Sequence, residues 1–160
     1  MTATLPTKRG FFGVGIWHTK FECNVGTLLR SAHAFGADFV FTVGRRYTPQ
    51  ASDITAAWRH VPVYHYTTLE SLRQNLPYGC PLVGVELDGR ATPLSRFCHF
   101  EREALILGAE DHGLNEETRA ACDYLVQIEG AALCLNVATA GSIVMYDRVA
   151  KRTSFTWLGE

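Results

Sequence analysis

The stretch Ala104-Leu-Ile-Leu-Gly-Ala-Glu-Asp-His-Gly-Leu114 passes from four apolar residues into a loop in which two glycines enclose three polar side chains. The apolar run is typical of a buried strand, and glycine permits positive φ and a close approach of the backbone to a ligand. The loop therefore suits a site that holds a flat, polar cofactor through main-chain groups. The loop is equally consistent with an ordinary acidic turn before a helix, since the residues Asn115-Glu-Glu117 would interact favourably with the dipole at a helix N-terminus.

Short apolar runs alternate with amphipathic stretches along the rest of the chain. Strands that alternate with helices are typical of an α/β domain with a mostly parallel sheet and helices on both faces. We predict strands at 11–17, 39–43, 61–65, 81–86, 104–107 and 124–128, and helices at 25–35, 67–75, 116–121 and 136–151. Ligands bind beyond the carboxyl ends of such strands, where the strand order reverses, so the loops there are the places to expect a site.

Capping residues predict several of the helix ends. Asn24 is expected to cap the first helix and Gly36 to end it, Thr67 begins a capping box for the second, and Asn115 caps the third. Residues 44–53 predict a polar loop. Because no repeat or linker interrupts the pattern, residues 1–160 are predicted to form one domain, with residues 1–9 flexible.

Composition narrows the class of protein. Hydrophobic residues make up 47% and charged residues 19%, a globular balance, and no apolar run reaches the ~18–20 residues that cross a bilayer. The N-terminus lacks the apolar core of a secretory signal, so a cytoplasmic protein is expected. The five cysteines lack zinc or disulfide-framework spacing, so no metal is expected. A net charge of −1 argues against a general nucleic-acid coat but allows one local basic patch.

Two further segments hold polar and small residues in unusual density. Asn24-Val-Gly-Thr-Leu-Leu-Arg30 lies at a loop-to-helix junction, and taken alone it favours an N-cap followed by a surface arginine over a ligand site. Leu133-Cys-Leu-Asn-Val-Ala-Thr-Ala-Gly141 begins the last helix with small residues, which is also typical of a tightly packed core helix. A dinucleotide-binding turn is excluded, because Gly13 and Gly15 lie inside a strand and His18 stands where the third glycine belongs.

Taken in order and spacing, the three segments resemble the signature motifs of the SpoU branch of the SPOUT methyltransferases. The first is similar to N-x-G-x-x-x-R with a later F-G, the second to G-x-E-x-x-G and the third to S-L-N-V-x-x-A. The matching residues are Asn24, Gly26, Arg30, Phe35 and Gly36, then Gly108, Glu110 and Gly113, then Cys134, Leu135, Asn136, Val137 and Ala140. The resemblance extends over nearly the whole chain.

The resemblance implies a C-terminal deep trefoil knot, a homodimer, S-adenosylmethionine as cofactor, and methylation of a ribose 2′-hydroxyl in RNA. It implies a catalytic set of Arg30, Asn24, Glu110 and Asn136. In the family the residue matching Arg30 is often proposed as the base that takes the hydroxyl proton. Because arginine stays protonated and has no acceptor site, we instead expect Arg30 to bind the RNA phosphate or the developing alkoxide. The implied cofactor-binding residues are Val85, Leu107, Gly108, Gly113, Ile128, Cys134, Leu135 and Asn136.

Two departures from the family pattern fall beside the expected cofactor. Cys134 replaces the usual serine, and Ile128-Glu-Gly130 stands where I-P-M is common. RNA contact is expected from Arg45-Arg46-Tyr47, whose basic pair could bind phosphate while the tyrosine stacks on a base. Trp58-Arg59-His60 is a second candidate, and a solvated loop beside a core tryptophan is the alternative. As in small family members, tRNA is favoured over rRNA.

Two other functions fit parts of the sequence. A non-catalytic module with the same knotted fold would bind RNA or S-adenosylmethionine without methylating, and the loss of Asn24, Arg30, Glu110 or Asn136 would have favoured it. All four are present. A flavodoxin-like or nucleotide-binding domain would need phosphate-binding loops after the first strand, and the sequence there lacks them.

Overall fold

A computed structural model describes residues 10–48, 56–131 and 133–154 of the chain. They form one seven-stranded sheet and four α-helices. The strands are β1 (Phe11–Trp17), β2 (Phe39–Val43), β3 (Val63–Tyr66), β4 (Leu82–Val85), β5 (Thr92–Pro93), β6 (Arg102–Leu107) and β7 (Tyr124–Gln127). The helices are α1 (Glu22–Phe35), α2 (Leu69–Asn75), α3 (Glu116–Ala121) and α4 (Val137–Ser154).

The strands run in the order β3-β2-β1-β6-β4-β7-β5, and each pair of neighbours is parallel. The predicted parallel sheet is therefore confirmed. The strand order reverses beside β1, because β2 and β3 lie on one side of it while β6 and β4 lie on the other. Residues 1–9, expected to be flexible, and residues 49–53 of the predicted loop lie outside the described residues.

Alternate side chains of each strand face opposite sides of the sheet, and each side has its own core. One core joins Val14 of β1 and Leu105 of β6 to Leu28 of α1 and Met145 of α4. The other joins Phe41 of β2 and Ile106 of β6 to residues of α2 and those flanking α3. Helices on both faces, as predicted, follow from this division. Among the described residues, no helix is both long and apolar enough to span a membrane.

The two glycines of β1 serve packing. A Cβ on Gly13 would lie 2.1 Å from the ring of Phe39, and one on Gly15 would lie 2.3 Å from the ring of Phe41. Both distances are shorter than any real carbon–carbon contact, so β1 needs glycine where the two aromatic rings of β2 cross it. This agrees with the exclusion of a dinucleotide-binding turn.

The bounds of three helices differ from prediction, and for α4 the difference is small, since it runs from Val137 to Ser154 where residues 136–151 were predicted. α1 begins at Glu22, and Asn24 lies inside its first turn instead of capping it, because the buried Asn24 side chain bonds to another loop. α2 begins at Leu69, two residues later than predicted, and its cap is Thr68 in place of Thr67, with the Thr68 hydroxyl accepting from the Ser71 amide at 3.1 Å. Gly36, with φ of 71°, and Asn115 act as predicted.

A buried ionic cluster attaches α4 to β6 at the edge of the sheet where the strands begin. Glu103 is fully buried and lies 3.0 Å from the guanidinium of Arg148, which is 3% exposed. His99 bridges Glu103 at 2.7 Å and Asp147 at 3.0 Å, and Asp147 also pairs with Lys151 at 2.7 Å. Burial lowers the pKa of Arg148, while Glu103 opposes that effect.

Candidate active site

The carboxyl ends of β1, β6 and β4 lie side by side. Ile16 pairs with Leu107, and Leu107 pairs with Val85. The loops that leave these three strands therefore converge at one edge of the sheet, where the strand order reverses. The first turn of α1 and the start of α4 reach the same place through the contacts that follow.

Glu110 is the centre of a hydrogen-bonded group at this edge. Its carboxylate accepts from Asn24 Nδ2 at 2.5 Å, from the Lys20 amide at 3.0 Å and from Thr19 Oγ1 at 3.2 Å. The loop after β6 is thereby tied to the loop after β1. Lys20 also pairs with Asp111 through its ammonium group, which adds a second link between the two loops.

Asn136 extends this group to the third motif. Its Nδ2 donates to Asn24 Oδ1 at 3.0 Å, while its Oδ1 accepts from the amides of Ala138 and Thr139 at the start of α4. The chain Glu110–Asn24–Asn136 thus joins three segments that are far apart in sequence. We call it the amide–carboxylate chain.

Arg30 lies on α1 beyond the amide–carboxylate chain. It follows Asn24 by six residues, or about 9 Å along the helix axis, and its side chain is exposed. The structure therefore joins Asn24, Glu110 and Asn136 by direct bonds, and places Arg30 on the helix that carries Asn24. An exposed guanidinium in this position is accessible to a phosphate.

The pKa of the Glu110 carboxyl is lowered. Burial alone would raise it, but the hydrogen bonds from Asn24 and from the Lys20 amide outweigh burial. The charged carboxylate is therefore the form that the fold stabilises. As a charged acceptor it fixes the Asn24 amide with its oxygen directed at Asn136.

This shift predicts how stability depends on pH. A carboxyl with a lowered folded-state pKa stabilises the fold above its ordinary pKa of 4.5, and loses that contribution as pH falls through the folded value. We expect the melting temperature of wild type to exceed that of Glu110→Gln most near pH 7, with the gap narrowing below about pH 4.5. Calorimetry from pH 7 to pH 3 measures it. Glu117→Gln, at an exposed acid of α3, is the control, and a gap that stays constant with pH would contradict the prediction.

A cavity of about 260 Å³ opens beside the amide–carboxylate chain. Seven of the eight predicted cofactor-binding residues line it, namely Val85, Leu107, Gly108, Gly113, Ile128, Cys134 and Leu135. Asn136, the eighth, lies next to this wall in the amide–carboxylate chain. The walls are apolar at the strand ends, where Val85 is 8% and Leu107 2% exposed.

The chemistry of the cavity fits an adenosine-type cofactor. Its volume lies just below the range of roughly 300–1,000 Å³ that is usual for ligand sites, and apolar walls with a few polar groups are typical of such sites. A Cβ on Gly108 would lie 2.0 Å from the carbonyl carbon of Gly113, so the loop closes this tightly only with glycine at 108. Gly113 has φ of 61°, which glycine adopts without strain.

Three lining residues lie outside the segments singled out in the sequence, namely Glu86, Leu87 and Ala131. The remaining ones lie within the glycine loop or the third motif, although no cofactor contact was assigned to them individually: Ala109, Glu110, Asp111, His112, Leu133, Val137 and Ala140. Glu86 had the clearest signal, since it is a carboxylate directly at the end of an apolar run. Leu133, at 80% exposure, stands at the rim.

The predicted RNA-contacting segment is only partly at the surface. Arg45 and Arg46 are exposed, and Arg45 Nη1 donates to the Lys20 carbonyl at 2.6 Å. Tyr47 is 8% exposed and belongs to the core beside α1, so the expectation of an exposed ring for base stacking is wrong in this conformation. In the second candidate segment, the Arg59 guanidinium lies 5.0 Å from the ring centre of Trp58, which is 38% exposed.

Two comparisons of structure define the class of fold. The SpoU methyltransferase AviRb from Streptomyces viridochromogenes, in complex with the cofactor AdoMet (S-adenosylmethionine), is 26% identical with a TM-score of 0.80, over 93% of this chain and 63% of that one. A TrmH/SpoU tRNA modifying enzyme from A. aeolicus, 18% identical with a TM-score of 0.82, shares the fold over 93% of this chain and 79% of its own. The fold is that of the SpoU methyltransferases.

Sequence comparisons give the family. The family model described as SpoU rRNA Methylase matches residues 13–146, and the chain belongs to this family. A Staphylococcus haemolyticus protein assigned to the TrmH family of tRNA/rRNA methyltransferases is 31% identical over 81% of this chain and 54% of its own. The 23S rRNA (uridine(2479)-2'-O)-methyltransferase of Streptomyces viridochromogenes is 27% identical over 94% and 56%. The chain spans about half the length of these curated relatives.

Proposed function

We propose that this protein transfers a methyl group from S-adenosylmethionine to a ribose 2′-hydroxyl in RNA. The observation that carries the proposal is the amide–carboxylate chain Glu110–Asn24–Asn136, which lies against the cavity lined by the predicted cofactor residues. A rigid set of polar groups beside an apolar cavity is the arrangement that holds an acceptor in line with a bound donor. Relatives named as RNA methyltransferases support the reaction class.

The chain's own residues would bind the acceptor, orient it and stabilise the negative charge that develops on its 2′-oxygen. Bound S-adenosylmethionine supplies an electrophilic methyl group on a sulfonium. Arg30 holds the RNA phosphate or the alkoxide that develops as the 2′-hydroxyl loses its proton, since its planar guanidinium donates several hydrogen bonds and cannot accept one. The proton leaves to a phosphate oxygen or to water. Asn24 and Asn136 orient the ribose, and Glu110 fixes Asn24.

RNA is proposed to contact the exposed cations beside this site. Arg45 and Arg46 follow β2 at the same edge of the sheet as the cavity, and each can neutralise a phosphate. The exposed Trp58 and the adjacent Arg59 offer a stacking face with a cation over it. The protein's net charge of −1 makes these local cations, and not the whole surface, the proposed source of affinity.

Further properties of the family extend the proposal. We propose a cytoplasmic homodimer whose C-terminal segment, including α4, passes through a deep trefoil knot. We propose tRNA as the substrate, with rRNA as the competing outcome, because the relatives' names include both. Among the described residues, no group of three or more His, Cys, Asp or Glu side chains is placed to hold a metal ion.

Ligand-induced stabilisation tests the donor site. We expect S-adenosylhomocysteine to raise the melting temperature, by an amount equivalent to about 2.7 kcal/mol at a concentration 100 times its Kd. FMN and NAD at the same concentration are the controls, and we expect neither to change it. Stabilisation by FMN or NAD but not by S-adenosylhomocysteine would contradict the proposed donor.

Incorporation of labelled methyl groups tests the acceptor. Unmodified tRNA and rRNA transcripts are incubated separately with the protein and labelled S-adenosylmethionine, and the products are digested to nucleosides. We expect a labelled 2′-O-methylnucleoside from the reaction with tRNA. Label in the rRNA reaction alone would make rRNA the substrate in place of tRNA. If the protein binds the cofactor but labels neither RNA, a non-catalytic module is favoured.

A further inference from the structure

Glu86 stands at the carboxyl end of β4, where it lines the cavity proposed for the cofactor. None of the three sequence motifs includes it. Its carboxylate is nevertheless committed to two backbone groups on different segments. One oxygen accepts from the Leu87 amide at 3.0 Å, and the other accepts from the Leu114 amide at 2.5 Å.

The bond to Leu114 attaches the glycine loop to the neighbouring strand. Leu114 closes the loop that leaves β6 at Gly108, and it precedes the cap of α3. β4 and β6 are already paired up to Val85 and Leu107, so Glu86 continues their connection one step beyond the last ladder pair. Charged acceptors make the stronger class of hydrogen bond, which suits this fastening.

Gly113 is shaped to admit this carboxylate. A Cβ on Gly113 would lie 2.2 Å from Glu86 Oε2 and 2.8 Å from the carboxyl carbon. The positive φ of 61° independently favours glycine here. Two requirements therefore favour glycine at 113: the positive φ, and the carboxylate of Glu86, which occupies the space that a side chain would need.

A second link, formed by an ion pair, joins the loop that follows β4 to the start of α3. The Arg90 guanidinium pairs with Asp88 at 2.8 Å and with Glu116, the first residue of α3, at 3.0 Å. Leu87, which lines the cavity, lies between the Glu86 hydrogen bonds and the Arg90 ion pairs. Because exposed ion pairs contribute little, the Glu86 bonds are the more important of the two.

We infer that Glu86 is a positioning residue that sets the shape of the cofactor cavity by holding the 108–114 loop to the end of β4. The inference rests on the proposed function, in that the cavity is taken to bind S-adenosylmethionine. Without the carboxylate, the Leu114 amide loses its acceptor, and the C-terminal end of the loop loses its side-chain bond to the end of β4. The bonds of Glu110 still hold the other part of the loop, so the expected change is a displacement of the Gly113–Leu114 wall of the cavity away from Glu86.

Affinity for S-adenosylhomocysteine, measured by calorimetric titration, tests the inference. We expect Glu86→Ala to weaken binding about tenfold or more, and Glu86→Gln, which keeps one acceptor oxygen, to fall between it and wild type. Asp123→Ala is the matched control. Asp123 accepts the Leu82 amide at 2.7 Å at the other end of β4, away from the cavity, so its loss should lower the melting temperature and leave Kd unchanged.

A double-mutant cycle separates positioning from general destabilisation. Gly113→Ala should weaken binding less in the Glu86→Ala background than in wild type, because the clash with the carboxylate disappears while the backbone strain is common to both. Equal Kd values for wild type and the Glu86 variants would overturn the inference, as would an equal loss in Asp123→Ala. If Glu86→Ala does not fold, Glu86→Gln decides. Failure of wild type itself to bind would instead overturn the proposed donor.

Discussion

Replacement of Arg30 by alanine is expected to reduce the rate of methyl transfer by about 10²–10³-fold, the loss typical of removing one group that stabilises developing negative charge. Affinity for S-adenosylhomocysteine should not change, because Arg30 is not among the residues that line the cavity. Arg30→Lys should also be slow, since lysine keeps the charge but not the planar pair of donors. Single-turnover transfer of labelled methyl to the RNA identified by the incorporation experiment measures both variants.

Arg102→Ala supplies the control for an exposed arginine. Arg102 begins β6, so it lies at the edge of the sheet opposite the cavity, and its variant should methylate at the wild-type rate. A near-normal rate in Arg30→Lys would refute bidentate recognition by Arg30. A loss of cofactor affinity in Arg30→Ala would mean that Arg30 acts on the cofactor site, in place of the acceptor role proposed.

The largest effect on stability is expected at Glu103. Glu103→Ala leaves the buried Arg148 without its 3.0 Å carboxylate partner, and breaking such a pair from one side typically costs about 3–5 kcal/mol. The variant also removes the acceptor of the Phe100 amide, at 2.9 Å. Since domains of this size are stable by about 5–15 kcal/mol, the loss should be a large part of the total, as measured by urea denaturation.

Two further variants control for this result. Glu101→Ala removes an exposed acid two residues away and should change the free energy of unfolding by less than about 0.5 kcal/mol. Glu103→Met combined with Arg148→Met removes both charges and should be more stable than Glu103→Ala, because no unpaired charge is left buried. A double variant no more stable than Glu103→Ala would show that the cost comes from lost packing and backbone contacts instead.

The sequence predicted the elements that local chemistry determines. The structure confirms the parallel sheet and the bounds of β1 and β2. It also confirms that α1 ends at Gly36 and that Asn115 caps α3. Apolar runs and capping residues act over a few positions, so a single chain reveals them. β5 escaped prediction because Thr92 and Pro93 form no apolar run, and their pairing depends on β7.

What could not be predicted depends on contacts between distant segments. Asn24 is of a residue type that is common at N-caps, but its hydrogen-bond partner Glu110 lies 86 positions away, and that contact determines where the Asn24 side chain points. The Glu103–Arg148 pair is separated by 45 positions. Tyr47 reads as a surface aromatic beside two arginines, yet it packs into the core next to α1. The cofactor prediction agrees with the AdoMet named for the solved relative, while the roles of individual site residues stay predictions.

The adjacency of β1 and β6 has a consequence for how the chain folds. Phe11 pairs with Arg102, so the middle of the sheet closes only about 90 residues after its first strand has left the ribosome. During that interval β1 can pair with β2, but its other edge keeps unsatisfied amides and carbonyls. Such an edge recruits strands from other chains, and long-range parallel pairing is slow. Yield on expression should therefore depend on co-translational protection of β1, and nascent chains stalled before residue 102 should aggregate more readily than full-length ones.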